Sequence, residues 1–380
     1  MSQYLIPFNK PYCSGKELEY IREAIQDGKI SGDGAFTRKC TELFTSRYGF
    51  KKVLLTTSCT DALEMASLLI GIKTGDEVIM PSYTFVSTAN PFVLRGATIK
   101  FIDSRPDHPN LNEMLIEELI TDRTKAIVPV HYAGVGCDMN EIKRIATKHR
   151  LFVVEDAAQC VDSYYDGMPL GSLGDIGAFS FHETKNVICG EGGMITVNNP
   201  DFAERAEVIR EKGTNRSKFF RGEVDKYGWV DVGSSYLLSD LNAAYLFAQL
   251  EIIEEIQSKR LQLWDRYYSN LKNNEEGAFE IHDIPVLCTN NAHMFYIVFN
   301  DTKIKDAVIT ALKSQGILAV FHYLSLHKSE FYKNLHDGRE LPYADFYSDH
   351  LLRLPLYYEL ELTEVDLICD IILTTLNQFI

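Results

Sequence analysis

Two apolar runs in this 380-residue chain end in residues that could do chemistry. The first, Leu151 to Val154, stops at two carboxylates, Glu155 and Asp156. The second, Ile176 to Phe181, carries Ser180, leads into His182, and stops at Thr184 and Lys185, just before a glycine-rich segment, Gly190 to Gly193. Such runs read as buried strands that deliver polar side chains to their C-terminal edge, where open α/β sheets keep their chemistry. A lysine at that edge is unusual, because desolvating an ammonium is costly unless the charge is paired or the pKa falls. A lowered pKa makes a nucleophilic amine. Amines of this kind form Schiff bases with carbonyl cofactors, and pyridoxal 5'-phosphate (PLP) needs, besides the lysine, a carboxylate that keeps its pyridine nitrogen protonated. Lys185 and Asp156 have the right chemistry for that pair. The plainer alternative makes Asp156 the cap of a helix starting near Ala157 and Lys185 an ordinary loop lysine.

The elements that must hold these residues follow from apolar periodicity. A helix is expected over Gly15 to Gln26, and another after the glycine-rich loop that begins at Ser31. The strand Lys52 to Ser58 runs into Cys59, Thr60 and Asp61, with a helical run from Ala62 to Ile70 behind them. Gly75 to Phe85 gives a turn and a strand ending in Tyr83 and Phe85, followed by a helix from Ser87 to Leu94. Strands at Ala97 to Asp103, Lys125 to Tyr132 and Leu151 onward, a helix from Met139 to His149, a strand at Met194 to Asn199 and a helix from Phe202 to Glu211 continue the alternation. That pattern predicts a mostly parallel sheet covered on both faces. A long loop, Lys212 to Ser235, follows; structureless loops of that length tend to be functional. One long helix is expected from Asp240 to Leu271, then strands at His293 to Phe299 and Leu318 to Phe321 and helices at Lys305 to Ser314 and Glu364 to Gln378. Length and pattern divide the chain into a larger unit, residues 1–250, and a smaller one, residues 251–380.

The turn at Ser58 to Asp61 is a ready anion site, since the first N–H groups of a helix are unpaired and its dipole favours negative charge. Ser58 or Thr60 would also serve simply as a helix cap. The formal charge of −15 argues against nucleic-acid binding. Against that background Lys212, Arg216, Lys218 and Arg221 form a basic stretch suited to an anionic small substrate, or to a solvated helix face. The 8 cysteines show no metal-ligand spacing and read as reduced core thiols. No signal peptide and no membrane-spanning run are recognisable, which makes the cytoplasm the expected compartment.

The strings EDAAQ (Glu155 to Gln159), GDIGAFSFHETKN (Gly174 to Asn186) and GEGG (Gly190 to Gly193) resemble the DegT/DnrJ/EryC1 family of PLP-dependent sugar aminotransferases. The similarity continues through Gly75 to Asn90, Val128 to Val135, Glu211 to Tyr227 and Ala292 to Phe299, nearly the whole chain. It implies the α/β architecture of PLP fold type I, a large domain with a mostly parallel mixed sheet and a smaller C-terminal α/β domain. It also implies a nucleotide-sugar acceptor, L-glutamate as donor and a homodimer with shared active sites. By the resemblance Lys185 is catalytic, Asp156 faces the pyridine nitrogen, and Gln159, at the start of a helix, bonds the ring hydroxyl. Phe85 stacks on the ring, while Thr60 and Asp61 hold the phosphate through backbone donors and Ser180 through its hydroxyl. Ser235 stands where the family often has an asparagine that reaches the other subunit's phosphate. His182, Lys212, Arg216, His322 and His327 are substrate-side candidates. Related dehydratases replace the lysine with histidine, and a non-catalytic scaffold would lose Lys185 or Asp156; this chain keeps both.

Overall fold

The computed structural model describes residues 4–272 and 277–379. Its central sheet has seven strands. They are β1 (Val53–Thr56), β2 (Glu77–Pro81), β3 (Thr98–Ile102), β4 (Thr124–Ile127) and β5 (Phe152–Asp156) and, after a small hairpin of β6 (Tyr164–Tyr165) and β7 (Met168–Pro169), β8 (Ile176–Ser180) and β9 (Gly193–Val197). Their order is β1-β9-β8-β5-β4-β2-β3, with β5 at the centre. β9 runs against its neighbours and the rest run the same way. Parallel neighbours need crossovers, and helices supply them. The helices of this part are α1 (Glu17–Gln26), α2 (Ala35–Tyr48), α3 (Cys59–Leu69), α4 (Val86–Val93), α5 (Met139–His149), α6 (Ala203–Arg210), α7 (Arg216–Phe220), α8 (Asp240–Glu251) and α9 (Ile253–Leu271). The remainder builds a three-stranded sheet from β10 (Phe279–Glu280), β11 (Phe295–Phe299) and β12 (Leu351–Leu354), with α10 (Thr302–Ser314), α11 (Pro342–His350) and α12 (Leu362–Leu376). No helix among the described residues is long and apolar enough to cross a membrane.

Strand alternation splits the sheet into two cores. Val78, Met80, Ala126, Val154, Ala178 and Ile195 pack on one face with α3 and α4. Ile79, Ile127, Val153, Phe179 and Met194 pack on the other with α2, α5 and α8. Glu155 and Asp156 therefore part company. Asp156 shares the parity of Val154, while Glu155, fully buried, points to the opposite face. There it accepts hydrogen bonds from the backbone N–H groups of Gly171 (2.8 Å), Leu173 (2.7 Å) and Gly174 (2.5 Å). His131 donates a fourth from Nε2 (3.0 Å), its Nδ1 being occupied as acceptor of the Cys137 N–H (3.1 Å). Glu155 is thus the anchor of the loop between β7 and β8, not a catalytic acid.

Four expectations are corrected. No helix begins at Ala157; the chain turns there, so Asp156 caps nothing and Gln159 does not sit on a helix face. The long helix is two, broken at Ile252 (φ −113, ψ 21), because α8 buries its side chains in the large core and α9 buries Leu263, Tyr267 and Leu271 in the small one. Leu318 to Phe321 forms no strand: Ile317 bridges Ile6 and Val320 bridges Arg353, and one bridge to each side does not make a ladder. The loop Lys212 to Ser235 contains α7 and is tied by the bridges Glu211 to Ser235 and Thr214 to Trp229. The hairpin β6–β7, α11 and β12 have no counterpart in the expectations above.

Removing the Glu155 acceptor leaves three loop N–H groups unpaired in the interior. Glu155→Ala is expected to lower unfolding stability by roughly 3 kcal/mol or more, with Glu155→Gln, which retains one acceptor oxygen, losing less. Urea denaturation measures both, and an unchanged midpoint in the alanine variant would mean that the loop holds without it.

Candidate active site

The C-terminal ends of β1, β2, β5 and β8 open onto one cavity of about 540 Å³, within the range of cofactor sites. Asp156 lies in its wall at the end of β5. Its Oδ1 accepts the Ala158 N–H (3.2 Å) and its Oδ2 the Thr88 hydroxyl (2.7 Å). Burial raises its pKa; those two bonds, then Lys185 and His131, pull it back. Lys185 follows β8 in a turn closed by its own N–H on the His182 carbonyl (2.9 Å). Its ammonium has no hydrogen bond or ion pair among the described residues. Burial lowers its pKa, Arg353 adds to the shift, and Cys59 and Asp156 oppose it. Both features suit a nucleophilic amine.

Between β1 and α3 lies the anion turn. Ser58 is the N-cap and its Oγ takes the Asp61 N–H (3.0 Å), which leaves the first-turn N–H groups of Cys59 and Thr60 without intrahelical partners. Asp61 is thereby turned away from the cavity wall, its carboxylate bonded to the Thr57 hydroxyl. Gly193, at the start of β9, presses on the same turn: a Cβ there would come 2.3 Å from the Ser58 carbonyl carbon and 2.4 Å from the Cys59 nitrogen. Ser180 and Ser87 add hydroxyls to the wall, Thr60 Oγ1 donating to Ser87 Oγ (2.8 Å). Two open N–H groups at a helix N-terminus with hydroxyls around them suit a phosphate.

Phe85 caps α4 and is 55% exposed at the cavity, its ring 6.2 Å from that of Tyr323. Opposite, Gln159 is fixed at both ends of its amide, Oε1 accepting the Ala133 N–H (2.6 Å) and Nε2 donating to the Tyr323 hydroxyl (3.0 Å). His322 stacks on Tyr323 with ring centroids 3.5 Å apart, and its Nδ1 pairs with the Tyr132 hydroxyl (2.7 Å). Burial holds its pKa well below the ordinary range, with Arg353 and Lys185 adding to the effect, so it is neutral. His182 also lines the cavity, partly exposed, with Nδ1 on the Thr184 hydroxyl (3.0 Å).

His327 is corrected: it is buried away from the cavity, Nδ1 on Ser82 Oγ (2.7 Å) and Nε2 3.6 Å from Asp345, and it ties the loop before α11 to the end of β2. Ser235 and Lys212 are exposed and outside this chain's cavity wall. Arg216 is also outside it, held by Glu211 (3.4 Å) and over the Phe220 ring (5.0 Å). Sequence reasoning missed Thr88 and Arg353. Arg353 comes from β12 into the cavity with its Nε buried and unpartnered; its other contacts are the Phe321 carbonyl (3.4 Å) and the Phe8 ring (4.5 Å). An arginine inside the apolar run LLRLPL was the available signal.

The donor set fits PLP: an anion turn that only a glycine can approach, an exposed aromatic face, a buried carboxylate and a partnerless amine of lowered pKa. Fold and site define a PLP-dependent aminotransferase of fold type I. The chain belongs to the DegT/DnrJ/EryC1/StrS aminotransferase family, matching it over residues 11–373, and it is accordingly a PLP-dependent sugar aminotransferase. Three solved structures illustrate the likeness. The aminotransferase TlmJ from Streptoalloteichus hindustanus is 28% identical, with 99% of this chain and 100% of that one aligned at a TM-score of 0.90. Spr1654 from Streptococcus pneumoniae, in its PLP-form, is 25% identical over 99% and 100% of the two chains, also at 0.90. PseC from Helicobacter pylori, an aminotransferase involved in the biosynthesis of pseudoaminic acid, is 25% identical over 98% and 99%, at 0.89.

A lowered pKa leaves more of Lys185 neutral at a given pH than ordinary lysines. Incubation with PLP followed by borohydride is expected to label Lys185 ahead of every surface lysine at neutral pH, and Lys185→Ala to lose that label with unchanged melting. Peptide mass mapping reads the result; a label spread evenly over surface lysines would contradict the assignment.

Proposed function

We propose that the protein transfers the amino group of L-glutamate to C4 of dTDP-4-dehydro-6-deoxy-D-glucose, giving dTDP-4-amino-4,6-dideoxy-D-galactose and 2-oxoglutarate. The observation that carries the aminotransferase chemistry is the partnerless, desolvated Lys185 amine sharing one cavity with the buried Asp156 carboxylate. The substrate rests on sequence: Gly75 to Asn90 and Glu211 to Tyr227 resemble dTDP-4-amino-4,6-dideoxygalactose transaminase.

PLP, when bound, supplies a protonated pyridine ring that accepts the electron pair left by proton removal at Cα. The Cys59 and Thr60 N–H groups and the Ser180 hydroxyl would hold its phosphate, and Phe85 would pack against its ring. Asp156 would keep the pyridine nitrogen protonated. Gln159 offers its second amide hydrogen to the ring hydroxyl, the first being taken by Tyr323. Lys185 would hold the cofactor through its amine, and the same desolvated amine would take a proton from the donor's Cα and return it on the cofactor side. Arg353 gives the donor's carboxylate a cation that no protein carboxylate neutralises, and His182 and His322 lie on the sugar's side. Residues 1–250 build the catalytic face and the unit of residues 251–380 closes it. In a homodimer, Ser235, Lys212 and Arg216 would serve the second copy's cavity, which accounts for their position outside their own.

Incubation with L-glutamate and the 4-keto sugar nucleotide should yield 2-oxoglutarate and an axial 4-amine, read from the proton couplings around C4. A large trans-diaxial coupling between H3 and H4 would identify the gluco epimer, and turnover of the 3-keto isomer alone would overturn the regiochemistry. Sedimentation should give a dimer, and a fully active monomer would refute the shared site.

A further inference from the structure

Burial disfavours a charge on Asp156, and the groups that oppose this come from every side of the cavity. Thr88 reaches it from α4, the Ala158 N–H from its own turn, Lys185 from the turn after β8 and His131 from the chain after β4. Cys59 at the start of α3, Cys160 and Tyr323 also face it and, as neutral groups, bring no compensating charge. Thr88 is held in turn. Its Oγ1 lies 2.7 Å from that of Thr84, just ahead of α4. Both side chains are buried, 0% and 2% exposed, so water cannot take over either bond.

With Asp156 ionised, the proton order in this chain is fixed. An ionised carboxylate only accepts, so Thr88 must give its single proton to Asp156 Oδ2. Its oxygen can then only accept, and the proton between the two threonines belongs to Thr84. Each bond polarises the next in the same sense. We infer that Thr84 and Thr88 form a one-way hydroxyl relay, positioning residues that hold the Asp156 carboxylate ionised and leave its remaining lone pairs for the pyridine nitrogen. The inference rests on Asp156 being the cofactor's partner, and it gives two buried threonines a function that their packing does not require: valine has the same shape and would fill the same space.

The sign is fixed by linkage. Removing a hydrogen bond to the charged form raises the carboxyl pKa, so the carboxylate is lost at a higher pH as the solution is acidified. The experiment titrates apo-protein with PLP across the acid range, following cofactor absorbance, for the wild type, Thr88→Val, Thr88→Ser, Thr84→Val and Asp156→Asn. Thr88→Val should move the acid limb of PLP affinity up by about one pH unit, the size expected for one charge-assisted bond. Thr88→Ser should stay at the wild-type position, and Thr84→Val should move the same way by less. Asp156→Asn should remove the limb and weaken binding throughout. A limb that stays put in Thr88→Val while Asp156→Asn abolishes it overturns the relay and leaves the cofactor assignment standing. A limb untouched even in Asp156→Asn removes Asp156 as the cofactor's partner, and the relay with it. Should Thr88→Val fail to fold, an unshifted limb in Thr84→Val overturns the relay on its own.

Discussion

Taking Asp156 and Lys185 out of water moves both toward their neutral forms, one pKa upward and the other downward, and the surrounding fold decides how far each goes. The two shifts serve opposite needs. A lysine that must attack and move protons gains from losing its charge, so nothing in the cavity pairs with it and Arg353 pushes the same way. A carboxylate that must stay ionised gains from the reverse, and Thr88 and the Ala158 N–H supply it. One desolvated cavity therefore treats the two groups differently, because hydrogen bonds oppose the effect of burial on Asp156 and none does so on Lys185.

The sheet makes that division possible. Side chains alternate across a strand, so the adjacent acids Glu155 and Asp156 end on opposite faces and never compete. Glu155 spends its lone pairs on the backbone of the β7–β8 loop, on the face of the sheet that carries the apolar Phe179 core, while Asp156 faces the cavity. The reversed strand β9 brings Gly193 against the Ser58–Cys59 turn at a distance no side chain tolerates, so that turn is seated on bare backbone. These contacts are stiff, and stiffness suits a site that must hold a flat ring at several points at once.

The small unit contributes a wall of a different kind. Arg353, His322 and Tyr323 come from it, and the N-terminal arm crosses over to lay Phe8 on the Arg353 guanidinium and Asn9 on the Glu183 carbonyl, two residues before Lys185. Burial there, with the Arg353 charge adding to it, holds the pKa values of His322 and His293 well below the ordinary range.

Lys185, Asp156, Ser180 and the Ser58–Thr60 turn were legible in the sequence because a reactive side chain at the end of an apolar run is a local pattern, and so was the alternation that builds the parallel sheet. The break at Ile252 was not, since a single apolar stripe does not say that it serves two cores. Nor was the fate of particular candidates: Asp61 turns to Thr57, and His327 to Ser82, a residue 245 positions away. The Thr88 hydroxyl meets Asp156 across 68 positions, and Arg353 reaches the cavity from a strand whose sequence shows an arginine in an apolar run but not where that arginine goes. The sequence alone determined which chemistry was on hand and at which strand ends it sat, because both depend on residue type and short-range periodicity. Only the tertiary structure decided which groups are buried together, and with that which are paired, because desolvation and hydrogen bonding are properties of contacts between distant segments.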